Sequence, residues 1–573
     1  MYRIVQDVIP TRLPHSRDAR LDAGALTSDP APGPTTRRGL STMLALVLAV
    51  LLLTGLAFLI RLQGLDRRDG DLSTDEARLA LAAQGVLTTG LPVLPSDRVY
   101  TRGLITTYAM APSIAAFGLH DWSARLPSVI AGALLVPAIF LLGRAVAGTI
   151  PALAVATFVT LAEPLVDWSR QAWPPATFLL LFTLTAYASY RGFARDEPRW
   201  QVLAALGFLA TLLAYELAML LPLGLGIYLA GRIVQRDLGW WRGRWTLAAL
   251  AIGALALALL LVLGLALRSG SLAGSDAEFR HYFTPSLTPS GVRYYVQTLW
   301  GRYLPLLVLP GGGLIWCLLT RRRPPPGLGF VLSLLATTLM VPLFIIQGKQ
   351  EQQYGLAVVP LLGLAGAWGA AALSGRVGSM TLDVGRWTFD EEPSTSNIQR
   401  PTSNVLPPTA YRLLVCWSAG LLVCFAIVLR VDVVAALHPP TPSRAPTWID
   451  DLRAQGWQPA DLTFAEAPLV QQVYFGRADF YVQPDGFERY ARQDGDLILS
   501  LYTNAVLLKQ AGDFERLVNG PYAGRTLWIV GHDDRLPRLT RQMDAALWQR
   551  LETASGVTHP TRGWWIMRVR LPA

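Results

Sequence analysis

Runs of about 20 apolar residues, the length that crosses a bilayer core, recur along the chain from near residue 41 to near residue 430. They fall at roughly 41–60, 125–144, 149–166, 176–193, 200–214, 217–231, 245–267, 299–319, 328–346, 354–373 and 411–430. One further segment, RGLITTYAMAPSIAAFGLH at about 103–119, is short and interrupted by Thr106, Thr107, Tyr108, Pro112 and Ser113. If it lies flat in the interface, Arg37/Arg38, Arg144, Arg191/Arg195/Arg199, Arg232/Arg236/Arg242/Arg244 and Arg321/Arg322/Arg323 all fall on one side. If it spans, every later cluster flips and the asymmetry collapses. Because Lys and Arg concentrate on the cytoplasmic side, the pattern predicts about eleven spans, with 103–119 interfacial. The N-terminus is then cytoplasmic and the loop 61–124 external.

Outside these runs the pattern changes three times. Residues 1–40 are rich in Pro, Asp, Thr and Arg and predict a disordered cytoplasmic tail, so the run from Ser41 to Ile60 reads as an uncleaved anchor. Residues 375–410, containing PSTSNIQRPTSNV, predict a disordered cytoplasmic insertion within the membrane domain of 41–430. From about 431 to 573 strand-like runs (DLTFAEAP, RADFYVQ, GDLILSLY, TLWIVGHDD, GWWIMRVRL) alternate with helical patterns at 466–475, 510–518 and 536–552. The expected fold is therefore an α-helical polytopic membrane protein with a C-terminal soluble α/β domain, which the odd span count places outside.

Composition fits this picture. Of 573 residues 52% are hydrophobic and 16% charged, against roughly 25% charged in soluble proteins. Positive-inside loops account for the net charge of +10. No nucleic-acid partner is expected, since no zinc spacing or aromatic RNA-binding motif accompanies that charge. Cys317, Cys416 and Cys424 all lie in apolar runs, and no CxxC is present. The C-terminal domain has neither GxGxxG nor a P-loop, which argues against nucleotide binding. His532, Asp533 and Asp534 suggest a metal or, more simply, a turn after a strand.

Candidate chemistry begins at RDGDLSTDEARLA, residues 68–80, where Asp69, Asp71, Asp75 and Glu76 stand at the edge of the first span. Ser73 with Glu76 three residues on is a capping box, and acids in a first turn suit the helix dipole. That alone explains them structurally. On the predicted topology, however, Glu163, Asp167 and Glu216, at the ends of other spans, share their face. Ionisable groups at membrane depth commonly mark a pathway or a site. Asp69 and Asp71 read as ordinary loop acids, and His120 and Asp121 as a loop cap.

The order of these features resembles a family. STDEARLALAAQGVLTTG is similar to the start of the first external loop of C-type membrane glycosyltransferases that use polyprenyl-phosphate sugars, the group of lipid A aminoarabinose transferase and the protein O-mannosyltransferases. The resemblance continues through HDWSARLPSVIAGALLVPAIFLLGR (120–144), DWSRQAWPPATFLLLF (167–182), LATLLAYELAMLLPL (209–223) and KQEQQYGLAVVPLLGLAGA (349–367). Two positions depart from it. YTRGL offers Arg102 but Gly103 and Leu104 where the family has two prolines, and Gln353 stands where an Arg often precedes Tyr354.

The resemblance implies transfer of a sugar from a polyprenyl-phosphate donor to a hydroxyl of a lipid, glycan or protein, with inversion, at the extracytoplasmic face of the cell membrane. It implies Asp75 as general base, with Glu76 orienting it or binding the acceptor or a divalent cation. Arg102 and Lys349 would meet the donor phosphate. Asp167 and Arg170 would shape the site or pair with each other, and Tyr215, Glu216 and Tyr354 would line the sugar or acceptor site. The same acids could line the pathway of a transporter or flippase of lipid-linked sugars, and a sensor could bind a ligand in its C-terminal domain. Against the first stands the lack of an internal repeat; the second leaves the acids of the first loop unexplained.

Overall fold

The computed structural model of the chain describes residues 34–65, 72–268, 293–297, 301, 303–320, 326–344, 352–373, 448–465, 467–482, 490–508, 512–513, 515, 519–532, 549, 555–561 and 564–571. Two units divide the chain, Met1–Leu46 and Val47–Ala573, and every element after the first helix belongs to the second. The helices are α1 (Pro34–Leu62), α2 (Thr74–Thr89), α3 (Leu104–Phe117), α4 (Asp121–Ala147), α5 (Thr149–Leu161), α6 (Glu163–Ser169), α7 (Pro175–Ser189), α8 (Pro198–Ala214), α9 (Leu220–Val234), α10 (Arg244–Arg268), α11 (Val308–Leu319), α12 (Pro326–Phe344), α13 (Val358–Leu373), α14 (Trp448–Ala454) and α15 (Pro468–Phe475). Each expected span from 41–60 to 354–373 falls largely on helix; 411–430, the tail up to residue 33 and the insertion 375–410 lie outside the described residues.

Among the described residues five stretches are long and apolar enough to cross a membrane: 43–62, 121–147, 216–234, 244–266 and 352–370. A sixth is added if α5 and α6, bent by 57° about Ala162, count as one. The expected spans at 200–214, 299–319 and 328–346 fall on shorter apolar helices, so the count of eleven is not reached by length and composition. Leu51, Leu52 and Leu59 on α1 and Leu257, Leu261 and Leu265 on α10 stay exposed, as lipid-facing positions do. Helix α13, by contrast, is buried along nearly all of its length. Gly369 permits this, because a Cβ there would lie 2.2 Å from the Leu309 carbonyl carbon of α11.

The α5–α6 break frees backbone carbonyls inside an apolar setting, where each must find a donor. Arg61, fully buried at the end of α1, supplies it. Its guanidinium donates to Val159 O (3.1 Å), Thr160 O (3.2 Å) and Ser169 Oγ (3.3 Å).

The C-terminal region forms an eight-stranded mixed sheet in the order β3-β4-β5-β2-β1-β6-β8-β7. Its strands are β1 (Leu462–Ala465), β2 (Phe480–Tyr481), β3 (Ala491–Asp494), β4 (Leu497–Ser500), β5 (Val506–Leu507), β6 (Thr526–His532), β7 (Ser555–Thr561) and β8 (Trp564–Arg570). Strands β5, β2, β1 and β6 run parallel; the outer pairs are antiparallel. All five expected strands are present. The sequence reading missed β3 and β7 because ARQD and SGVTHPT are polar and carry no apolar alternation, as suits strands near or at an edge. It missed β5 because only two residues pair. The helical pattern at 466–475 is α15, while 510–518 and 536–552 lie mostly outside the described residues.

The period-two alternation of β6 decides how this sheet is seated. Leu527 and Ile529 join one apolar core, whereas Trp528 and Val530 join another that also holds Leu79, Leu81, Tyr100, Met110, Ala172 and Trp173. The second core makes α2, α3 and the C-terminal domain one packed body. The C-terminal domain thus lies on the same side as the 72–100 segment.

Candidate active site

The site begins at the N-terminus of α2. Ser73 Oγ accepts from the Glu76 amide and Glu76 Oε2 accepts from the Ser73 amide, so both halves of the expected capping box are formed. Successive residues on a helix point about 100° apart, and here that separates the two acids. The Asp75 side chain is 55% exposed, beside Arg78 Nη2 at 3.5 Å. Glu76 is 4% exposed and turned inward.

Every direction from the Glu76 carboxylate meets a donor. Arg125 of α4 approaches it in a fork, Nε to Oε1 at 2.9 Å and Nη2 to Oε2 at 3.2 Å, and the Ala172 amide donates to Oε1 at 2.8 Å. Burial pushes this carboxyl up, but Arg125 and the Ser73 and Ala172 amides together hold it below the usual carboxylate range. A carboxyl depressed in the folded state stabilises the fold above its unfolded value and loses that contribution as pH falls. Thermal midpoints followed from about pH 6 down to pH 3 should therefore drop below about pH 4.5, near the pKa of a free glutamate. Glu76→Gln should flatten that acid limb; an unchanged limb would mean that other carboxyls dominate.

Further contacts tie the neighbouring segments to one another. Arg102 Nη2 pairs with Glu216 Oε1, joining the loop before α3 to the short 3-10 turn Glu216–Met219 that follows α8. Tyr215 stacks on Tyr354 (6.5 Å between centroids, 6° between planes) and meets Phe178 edge-on at 5.6 Å. Trp173 Nε1 donates to Gln353 Oε1 at 2.6 Å. Asp167 lies 3.9 Å from Arg170 Nη1, while Arg170 is buried and donates through Nη2 to Ile60 O at 2.6 Å. Lys349 lies outside the described residues, as do Asp69, Asp71, Asp533 and Asp534.

The break from the resemblance at Gly103 has a physical cause. Gly103 caps α3 with φ +67, a left-handed conformation closed to proline. A Cβ built there would stand 2.7 Å from Pro174 Cγ and 3.2 Å from Leu79 Cδ2. Glycine thus lets the Arg102 loop pack directly on the Trp173–Pro174 turn. Gly103→Ala is expected to cost about 1–2 kcal/mol for the left-handed backbone alone, read as a lowered thermal midpoint. An unchanged midpoint would show that this loop repacks freely.

Several residues that sequence reasoning did not assign help to build the site. Arg125 lies within the quoted segment 120–144, and as a charge at the start of an apolar run it carries the signal that should have singled it out. Arg78, three residues from Asp75 on the helix, is buried between Tyr100 (5.8 Å) and Tyr502 (4.3 Å) of the C-terminal domain. His120 is the N-cap of α4, and Asp121, its first residue, accepts from the Tyr474 hydroxyl through its carboxylate at 2.6 Å. No sequence signal linked Tyr474 or Tyr502 to α2, some 400 positions away. Among the described residues no three His, Cys, Asp or Glu side chains gather to hold a metal. Glu76, occupied as it is, does not fit the role of a cation ligand beside Asp75.

The positively charged loops meet at the other helix ends. Arg195 Nη2 donates to Ala145 O (3.3 Å), and Arg232 pairs with Asp196 (2.8 Å) and Asp237.

No curated protein sequence matches the chain. Residues 101–263 match the family described as dolichyl-phosphate-mannose-protein mannosyltransferase. The fold is similar to that of ArnT from Cupriavidus metallidurans bound to undecaprenyl phosphate, at 16% identity and TM-score 0.56, with 91% of this chain and 97% of that one covered. The apo state of the same protein aligns at 17% identity, TM-score 0.56 and the same coverage. The arabinofuranosyltransferase AftD from Mycobacteria aligns at 14% identity and TM-score 0.50 over 92% of this chain and 40% of its own. The segment 101–263, which supplies Arg102, Arg125, Ala172 and Glu216, is thus similar to the dolichyl-phosphate-mannose-protein mannosyltransferase family, and the fold around it is similar to that of ArnT.

Proposed function

We propose that the protein transfers a sugar from a polyprenyl-phosphate donor to an acceptor hydroxyl, at the extracytoplasmic face of the cell membrane. The observation that carries this reading is convergence: α2, the Arg102 loop, the 172–174 turn, the Tyr215–Glu216 break and the Gln353–Tyr354 turn meet at one end of the helices. The similar ArnT binds undecaprenyl phosphate, which supports a donor carried on a polyprenyl phosphate.

In the transfer, the acceptor oxygen forms a bond to the anomeric carbon as the bond from that carbon to the phosphate oxygen breaks. The electron pair leaves with the polyprenyl phosphate, and the acceptor proton passes to Asp75. Attack opposite the leaving group inverts the anomeric centre. Asp75, half-exposed at the first turn of α2, is the acid we assign to that proton. Glu76 has no lone pair to spare for it and instead fixes α2 to α4. Arg102, held in orientation by Glu216, meets the donor phosphate, a role that suits the planar guanidinium. Tyr215 and Tyr354, both buried and stacked on each other, tie the Glu216 turn to the Gln353 turn and would back the sugar site from within. Asp167 and Arg170 shape the turn beside Glu76, and Lys349 is assigned with Arg102 to the phosphate on the resemblance alone.

The orientation follows from charge. Three basic loops gather opposite the site, and the Lys/Arg excess faces the cytoplasm. A flippase finds less support, since the polar groups of the site sit at helix ends and not along a path between them. The test is release of polyprenyl phosphate by the full-length protein in liposomes, with undecaprenyl-phosphate sugars as donors and a membrane lipid extract as acceptor. Asp75-dependent release supports the proposal; movement of intact donor between leaflets without release would sink it.

A further inference from the structure

The first turn of α2 is held from outside the membrane domain. Tyr474, near the end of α15 in the C-terminal domain, accepts through its hydroxyl from the Leu72 amide at 2.8 Å. The same hydroxyl donates to Asp121 Oδ1 at 2.6 Å. Leu72 is buried one residue before the Ser73 cap, and Asp121 is the first residue of α4, one turn before Arg125. A single hydroxyl therefore ties the segment entering α2 to the start of α4, the helix whose Arg125 grips Glu76. Two further contacts press the C-terminal domain onto the same helix and its loop. Tyr502 covers Arg78 at 4.3 Å, and Ser96 Oγ donates to Leu501 O at 2.7 Å.

We infer that Tyr474 is a positioning residue for sugar transfer: the C-terminal domain sets the placement of Asp75 through the Leu72–Tyr474–Asp121 chain. This rests on the reading of Asp75 as the general base. Asp75 lies three residues from Leu72, on a turn that α4 grips through Glu76. A small tilt of that turn moves the carboxylate without disturbing the donor site at Arg102, and displacements near 1 Å cost up to about a hundredfold in rate.

The experiment uses the full-length protein in nanodiscs, undecaprenyl-phosphate mannose as donor, and amide hydrogen exchange as a readout independent of activity. Tyr474→Phe keeps the ring and removes both hydrogen bonds. Its expected result is a kcat lower by about ten- to a hundredfold, an unchanged KM for the donor, and faster exchange at residues 72–77 but not at 80–89. Asp121→Ala, a second variant in case the first folds poorly, should lower kcat by a smaller factor. The double variant should fall no further than Tyr474→Phe alone, because both act through one chain. A lowered thermal midpoint with kcat, KM and exchange at 72–77 unchanged would overturn the inference, as would multiplicative losses in the double variant. Failure of the underlying reading shows separately: Asp75→Asn would then keep its activity whatever Tyr474→Phe does.

Discussion

Asp75→Asn is expected to slow release of polyprenyl phosphate by about 10²–10⁴-fold, the usual contribution of a positioned proton acceptor. The thermal midpoint should stay where it is. The reason lies in how little the fold asks of this side chain. It is 55% exposed, and its ion pair with Arg78 is a helical i,i+3 contact at 3.5 Å, worth about 0.2–0.5 kcal/mol. The amide keeps nearly the size and the hydrogen-bonding polarity of the carboxylate but loses its charge, and with it that weak ion pair and the capacity to take a proton from the attacking oxygen. Asp75→Glu keeps that capacity but displaces the carboxylate by about one C–C bond, 1.5 Å, and should retain an intermediate rate. Activity in Asp75→Asn equal to that of the unaltered protein would remove Asp75 from the chemistry and leave the capping role as its full explanation.

Arg125→Ala should act in the opposite way, through the fold first. Removing one partner of a buried ion pair leaves the other charged and unpaired, at a cost of about 3–5 kcal/mol. Both side chains of this pair are about 95% or more buried, so solvent cannot repair the loss. Arg125 also donates through Nη1 to Leu65 O at 3.1 Å, which adds an orphaned carbonyl. Thermal unfolding in nanodiscs, followed by tryptophan emission, should show a large fall in midpoint, with activity lost as a consequence. The double variant Glu76→Leu/Arg125→Leu should recover part of that loss, since two apolar side chains of similar volume remove the unpaired charge. It should not recover all of it, because the Ser73 and Ala172 amides keep no acceptor. A cost below about 1 kcal/mol for Arg125→Ala, the range of exposed pairs, would show that water reaches the pair.

These two variants separate what adjacent residues in one motif do. Sequence reasoning treated Asp75 and Glu76 as a catalytic pair, and a helix cannot present neighbouring side chains to one place. Their division of labour was implicit in the 100° step, but which of the two faced inward was not, because that depends on where Arg125 and Ala172 come to lie. The same holds for Gln353. In sequence it stands where an Arg was expected; in the structure its carbonyl oxygen is taken by Trp173, 180 positions earlier.

The sequence by itself determined the membrane character of the chain, the helical ranges, the capping box at Ser73 and the strand-bearing C-terminal region. Each of these follows from local patterns: run length against bilayer thickness, period two in strands, a cap three residues from its acid. Tertiary structure alone decided that Glu76 is buried against Arg125, that Gly103 must be glycine because Pro174 lies beneath it, and that Tyr474 and Tyr502 reach α2 from the far end of the chain. Such contacts join residues from about 50 to 400 positions apart, and no periodicity records them. They are set by which apolar faces bury one another, and the polar groups carried along on those faces then pair wherever burial leaves them no water.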